Sequence, residues 1–181
     1  MLVDLTDLEI CLFSCDDEAK KLWGVSEVVS EIGSALGDRV KNQQGDLDRD
    51  LIRKLVFSDA VARKALECVL HPRILSELEV KREEAVARKA KVFLAEVPLY
   101  YEIQSSIMAD SVIVVAASRT VQVNRLMVRR NLDAATAENL LKAQLSLDVK
   151  IDKADWVVWN EGTESMLKAQ ASTIIRAHLE N

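Results

Sequence analysis

Asp16 stands in Ser14-Cys15-Asp16-Asp17-Glu18, directly after the apolar run Ile10 to Ser14 and at the opening of a helix. An acid at the carboxyl end of a parallel strand is where α/β sheets place their active groups. A helix cap with acids in its first turn, favoured by the helix dipole, accounts for the same residues and is the better explanation of this stretch alone. Arg125 and Arg129, in Gln122-Val123-Asn124-Arg125-Leu126-Met127-Val128-Arg129, lie four apart. That spacing puts both guanidinium groups on one helix face, where they can converge on phosphate oxygens or form a solvated basic face.

Four further stretches are ordinary when taken singly. Gly45-Asp46-Leu47-Asp48-Arg49 reads as a turn leading into a helix, with Asp48 near its start. In Leu70-His71-Pro72, the proline suits a first helical position. Glu96-Val97-Pro98-Leu99-Tyr100-Tyr101-Glu102 is less common: a proline ends an apolar run, then large residues and an acid follow, as in a loop at a sheet's carboxyl edge. Trp156-Val157-Val158-Trp159-Asn160-Glu161-Gly162 is a short strand ending in an Asn-x-Gly turn.

The elements that must position these residues alternate in type. Ile10–Ser14, Val92–Val97, Ser111–Ala117 and Trp156–Trp159 have the unalternating apolar character of strands covered on both faces of a parallel sheet. Helices are expected between them. Leu51, Leu55 and Val56 mark one, and Val61, Ala65, Leu66 and Val69 mark another ending before His71-Pro72. Further helices are expected over Ile74–Ala90, Thr120–Arg130, Ala134–Leu147 and Glu164–Leu179. Strands alternating with helices define an α/β class with a parallel sheet. The helical block between the first two strands is too long for a simple crossover and reads as a separate lobe.

Composition narrows the function classes. With 49% hydrophobic residues, the 181-residue chain fills a core. A net charge of −5 argues against a nucleic-acid binder, which carries a basic face. The longest strongly apolar run, Val112–Ala117, is too short for a bilayer, and Met1–Asp7 lacks the basic region of a secretory signal. Three cysteines without a Cys-x-x-Cys pair, and two histidines, predict no metal site, and they suit a reduced, cytoplasmic protein.

The order of these landmarks carries more than any one of them. An Asp after a strand, Gly-x-Leu-Asp-Arg, Leu-His-Pro, Val-Pro-Leu, Gln-x-x-Arg-x-x-x-Arg, Ala143-Gln144, Ala154-Asp155 and Asn-x-Gly together resemble the dephospho-coenzyme A kinase family over roughly residues 5–170. The resemblance implies a parallel-sheet, P-loop kinase-like core (1–16, 91–121 and 151–181), a helical substrate lobe (17–90) and a helical lid (122–150) within one kinase-like domain. It implies ATP-dependent phosphorylation of the 3′-hydroxyl of dephospho-coenzyme A, with Mg²⁺ accompanying ATP and no nucleic-acid or membrane partner. By the same resemblance, Asp16 takes the proton of the attacking hydroxyl and Arg125 and Arg129 neutralise ATP phosphates. Asn160 meets the adenine end of ATP, and Leu47, His71, Pro98 and Leu99 receive dephospho-coenzyme A. Ser14 stands where many members have a second Asp.

One departure is large. The family's Gly-x-x-x-x-Gly-Lys-Ser/Thr loop wraps the β- and γ-phosphates in backbone N–H groups. None of the five glycines here precedes a Lys-Ser or Lys-Thr pair. The ungapped alignment makes Met1–Leu8 the tail of the helix after that loop, with the first strand and P-loop absent. The expectation is an impaired enzyme. The alternatives are a catalytically dead protein that binds ligands of the coenzyme A type, and a related monophosphate kinase with another acceptor. The acceptor-side landmarks favour coenzyme A over the last of these.

Overall fold

The structure, a computed structural model, describes residues 10–103 and 107–179. The helix tail expected over Met1–Leu8 lies outside the described residues. Residues 10–98 form one body and the described residues from Leu99 onward form another.

In the first body, β1 (Ile10–Ser14) leads into α1 (Cys15–Leu22) and α2 (Ser26–Leu36). A short 3₁₀ turn over Gly37–Val40, α3 (Arg49–Ser58) and α4 (Ala60–Ala87) follow, and β2 (Val92–Glu96) closes the body. β2 runs parallel to β1, in register from Ile10 opposite Val92 to Ser14 opposite Glu96. Val28, Ile32 and Leu36 recur every four residues on α2, so one stripe of the helix is apolar. That stripe is buried with Val40, Ile52 and Ala62 as the core of the body. Gly37, at φ 70°, takes a left-handed conformation that stops α2 at little cost. Asp48 and Asp59 cap α3 and α4 by accepting backbone N–H groups at 2.8–3.1 Å.

The helix break expected at His71-Pro72 does not occur: α4 runs from Ala60 to Ala87 with Pro72 inside it. A proline removes one N–H from the helical ladder and crowds the preceding turn. Next to it, Arg73 folds its guanidinium back over the preceding turn and donates to the Val69 carbonyl at 2.8 Å. The same side chain reaches Glu31 on α2 at 2.7 Å, so helix packing holds the segment in line.

In the second body, β3 (Ile113–Ala116), α5 (Arg119–Arg130), α6 (Ala134–Lys142), α7 (Leu147–Asp152), β4 (Trp156–Trp159) and α8 (Glu164–Leu179) follow in order. β3 and β4 are parallel, from Ile113 opposite Trp156 to Ala116 opposite Trp159. Val158 packs with Leu167 and Ile174 of α8 and with Ile113. Asn131, at φ 50°, ends α5 in a left-handed cap, and Arg119 donates to the Glu138 carboxylate and to its carbonyl, both at 3.0 Å, pinning α6 back on α5. The single helix expected over Ala134–Leu147 is two, because Ser146 caps a new start by accepting from Val149 N–H. Among the described residues no helix is long and apolar enough to cross a membrane.

Candidate active site

Because β1 and β2 are parallel, both deliver their carboxyl ends to one edge, where Ser14 lies opposite Glu96. Ser14 leaves the strand in an extended conformation and caps α1, its hydroxyl accepting from Asp17 N–H at 3.4 Å. That turn sets Asp16 in the first turn of α1, exposed, while Cys15 turns inward and is buried. The Cys15 thiol is pushed up to about 11, first by burial and then by the negative charges of Asp16 and Glu96. The two carboxylates therefore act on the same small region. Asp17 is occupied elsewhere: Lys20 binds it at 2.6 Å and holds it below the usual carboxylate range. Among the described residues Asp16 has no hydrogen-bond or ion-pair partner. An unpaired carboxylate at such an edge can accept a proton from a bound hydroxyl.

Pro98 is exposed just beyond β2 at this edge. Leu47 is half-buried, resting on Gly33 and the core of the first body. Its turn is fixed by Asn42, whose side-chain oxygen accepts from Gln44 and Asp46 N–H at 2.9 Å, and by Gly45 at φ 88°. His71 is half-buried within α4, beside Leu70, which leans on the same core. Asp16, Leu47, His71 and Pro98 thus belong to the first body. Leu99, Arg125, Arg129 and Asn160 belong to the second.

In the second body the parallel strands again end together. Asn160 N–H donates to the Ala116 carbonyl at 2.8 Å, and Gln122 of α5 donates to the Ala117 carbonyl at 2.6 Å. The Glu161 carboxylate accepts from Ser118 N–H at the start of α5. That contact, with a smaller contribution from Arg125, holds Glu161 below its ordinary range. Arg125, half-buried on α5, therefore shares a neighbourhood with the Asn160–Glu161 turn, and Arg129 is exposed one helical turn further on. Leu99 opens a turn in which its carbonyl accepts from Glu102 and Ile103 N–H at 3.0 Å. Glu102 in turn accepts from Leu145 N–H at 3.2 Å and pairs with Lys150 at 2.6 Å.

Glu96, Glu161 and the Glu102–Lys150 pair were not among the site residues that the sequence suggested. The partners of Glu161 and Glu102 lie 43 and 48 positions away in the chain. The local signal for Glu96 is its place as an acid near the end of an apolar run, two residues before Pro98.

Parallel strands whose carboxyl ends lead into helices or loops that carry the candidate residues define an α/β protein. Comparison with known proteins narrows the class. A model of the family described as dephospho-CoA kinase matches residues 3–165. The dephospho-CoA kinase of Anaeromyxobacter dehalogenans is 35% identical over 147 residues, covering 81% of this chain and 70% of that protein. That of Nitrosomonas europaea is 31% identical over 175 residues, covering 96% and 85%. The crystal structure of TT1252 from Thermus thermophilus superposes with a TM-score of 0.75 at 28% identity, over 94% of this chain and 85% of that one. The dephospho-CoA kinase of Campylobacter jejuni shares the fold at a TM-score of 0.64 and 22% identity, over 94% and 86%. The chain belongs to the dephospho-CoA kinase family.

Proposed function

We propose that the chain takes ATP and dephospho-coenzyme A as substrates and transfers the γ-phosphoryl group to the ribose 3′-hydroxyl, yielding coenzyme A. The observation that carries this reading is the exposed, unpartnered Asp16 at the carboxyl edge of a parallel strand, in a chain of this family. In the proposed mechanism Asp16 accepts the hydroxyl proton as the oxygen attacks. Arg125 and Arg129 bind and neutralise the ATP phosphates, and Asn160 meets the adenine end of the nucleotide. Leu47, His71, Pro98 and Leu99 receive the acceptor, in a helical substrate lobe of residues 17–90 and a lid of residues 122–150. Phosphoryl transfer asks mainly for such positioning and charge neutralisation. Magnesium bound with the nucleotide would lower the charge on its phosphates. A single carboxylate beside phosphate oxygens is an ordinary protein share of such a site, and Glu96, opposite Ser14 at the same edge, could supply it while Asp16 stays free to take the proton. The proposed setting is the cytoplasm, where ATP is available.

The test is calorimetric titration with dephospho-coenzyme A and with ATP, alongside a turnover assay. Binding of both ligands with formation of coenzyme A is the expected result. Binding of both ligands without any turnover would refute the transfer reading. Asp16→Asn should lower the rate by on the order of 10²–10⁴-fold, the usual contribution of a positioned base. Failure to bind dephospho-coenzyme A would refute the acceptor reading.

A further inference from the structure

Gln122 opens the run that carries Arg125 and Arg129, and its side chain turns back on the start of its own helix: the amide donates to the Ala117 carbonyl at 2.6 Å. The next N–H along the chain, that of Ser118, donates to the Glu161 carboxylate. Ala117 C=O and Ser118 N–H belong to one peptide unit, the one that joins β3 to α5. Both of its polar groups are therefore held by side chains, one from α5 and one from the turn after β4. α5 supplies no other hold there: its cap residue Ser118 makes no side-chain capping bond, and its first turn carries no acid. The turn that carries Glu161 is itself fixed. Gln170 of α8 accepts from Trp159 N–H at 3.0 Å and donates to the Trp159 carbonyl at 3.1 Å, and Asn160 N–H donates to the Ala116 carbonyl at 2.8 Å.

A peptide unit bonded on both sides cannot rotate without giving up a hydrogen bond, and the bond to a carboxylate is the stronger kind. This unit is the pivot of α5. Arg125 and Arg129 lie seven and eleven residues beyond Ser118, about 10 and 16 Å along the helix, so a tilt of about 10° at the pivot moves them by about 2 and 3 Å. Displacements of that size matter, since misplacing a positioning group by about 1 Å can cost on the order of 10²-fold. Glu161 adjoins Asn160 in the chain, so the same hold fixes the spacing between Asn160 and the two arginines. We propose that Gln122 and Glu161 are positioning residues for the nucleotide: together they clamp the Ala117–Ser118 peptide and set the reach from Asn160, at the adenine end of ATP, to Arg125 and Arg129, at its phosphates. The proposal rests on the nucleotide reading above and deepens it. Neither side chain contacts ATP in this arrangement; each acts through the peptide that it holds.

The test is calorimetric titration of the full chain with ATP in the presence of magnesium and, separately, with dephospho-coenzyme A, using Gln122→Met, Glu161→Ala and Glu161→Gln, each checked for folding by circular dichroism. Gln122→Met keeps the length of the side chain and removes the donor. Glu161→Gln removes the charge and keeps an acceptor oxygen. Gln122→Met and Glu161→Ala should each weaken ATP binding on the order of tenfold, the scale of one lost hydrogen bond, while Glu161→Gln stays within about threefold. All three should bind dephospho-coenzyme A like wild type. The double variant Gln122→Met/Glu161→Ala should lose less than the product of the two single effects, because either change alone frees the same peptide; losses that multiply in full would overturn the shared hold. Wild-type ATP affinity in either Gln122→Met or Glu161→Ala would overturn the proposal, as would an equal loss for both ligands, which would reduce the pair to general stability. A Glu161→Gln variant as weak as Glu161→Ala would assign the effect to the charge beside Arg125 and overturn it too. Should Glu161→Ala misfold, Gln122→Met decides the matter. A wild-type chain that does not bind ATP would overturn the nucleotide reading and this proposal with it, an outcome distinct from a defect confined to the variants.

Discussion

Replacing Glu102 by Gln, Lys150 by Met, and both together would measure what ties the loop after β2 to the segment before β4. The two charged groups are 2.6 Å apart and their side chains are only 21% and 15% exposed. Exposed pairs contribute about 0.2–1 kcal/mol, and stranding one partner of a fully buried pair costs about 3–5 kcal/mol. This pair lies between the two limits, so each single change should cost about 2 kcal/mol. The other Glu102 oxygen is buried without a hydrogen-bond partner, which already draws on the stability of the pair. The double replacement removes both charges at once and leaves neither stranded. It should cost less than the sum of the single changes by about 1–2 kcal/mol, a coupling that a double-mutant cycle isolates. Urea unfolding followed by far-ultraviolet circular dichroism gives the four stabilities. Strictly additive losses, or single losses below about 0.5 kcal/mol, would refute the reasoning. They would mean that the contact is an ordinary surface pair and that Glu102 works through Leu145 N–H alone.

Two further outcomes follow from burial. Ile32 is 0% exposed at the centre of the first body's core, so Ile32→Ala should cost about 2–5 kcal/mol in urea unfolding, and a loss below about 1 kcal/mol would mean that the cavity collapses around the smaller side chain. Iodoacetamide at pH 8 should label the exposed Cys68 and spare Cys15, as peptide mass mapping would show. The Cys15 thiol is raised from 9.0 to about 11, so the folded state holds this proton more tightly than the unfolded state does. Its contribution to stability is therefore complete below pH 9 and lost as pH rises through about 11. A Cys15→Ser variant that kept the same alkaline loss between those values would assign it to another group.

The helices and strands were largely legible because their signals are local. Leu51, Leu55 and Val56 mark α3 by spacing alone, and the expected limits of the Trp156–Trp159 strand and the Glu164–Leu179 helix match the structure. The family was legible for a related reason: landmarks in fixed order along a chain survive without any knowledge of contacts. Where local rules compete with packing, the sequence misled. Pro72 reads as a helix start by its own chemistry, yet the Arg73 side chain and the contact with Glu31 carry α4 through it. Asp16 could be singled out by its place after a strand, but an ordinary helix cap explained it equally well. The parallel pairing of Ser14 with Glu96, and the shared action of Asp16 and Glu96 on Cys15, gave that edge its distinct character. The same holds for Glu161 at the start of α5 and for Glu102 with Lys150. Periodicity of 3.6 or 2 residues is set by the backbone and can be read along the chain. Which distant charge or ring meets which depends on the path of the chain and the register of its strands, and only the folded protein decides that.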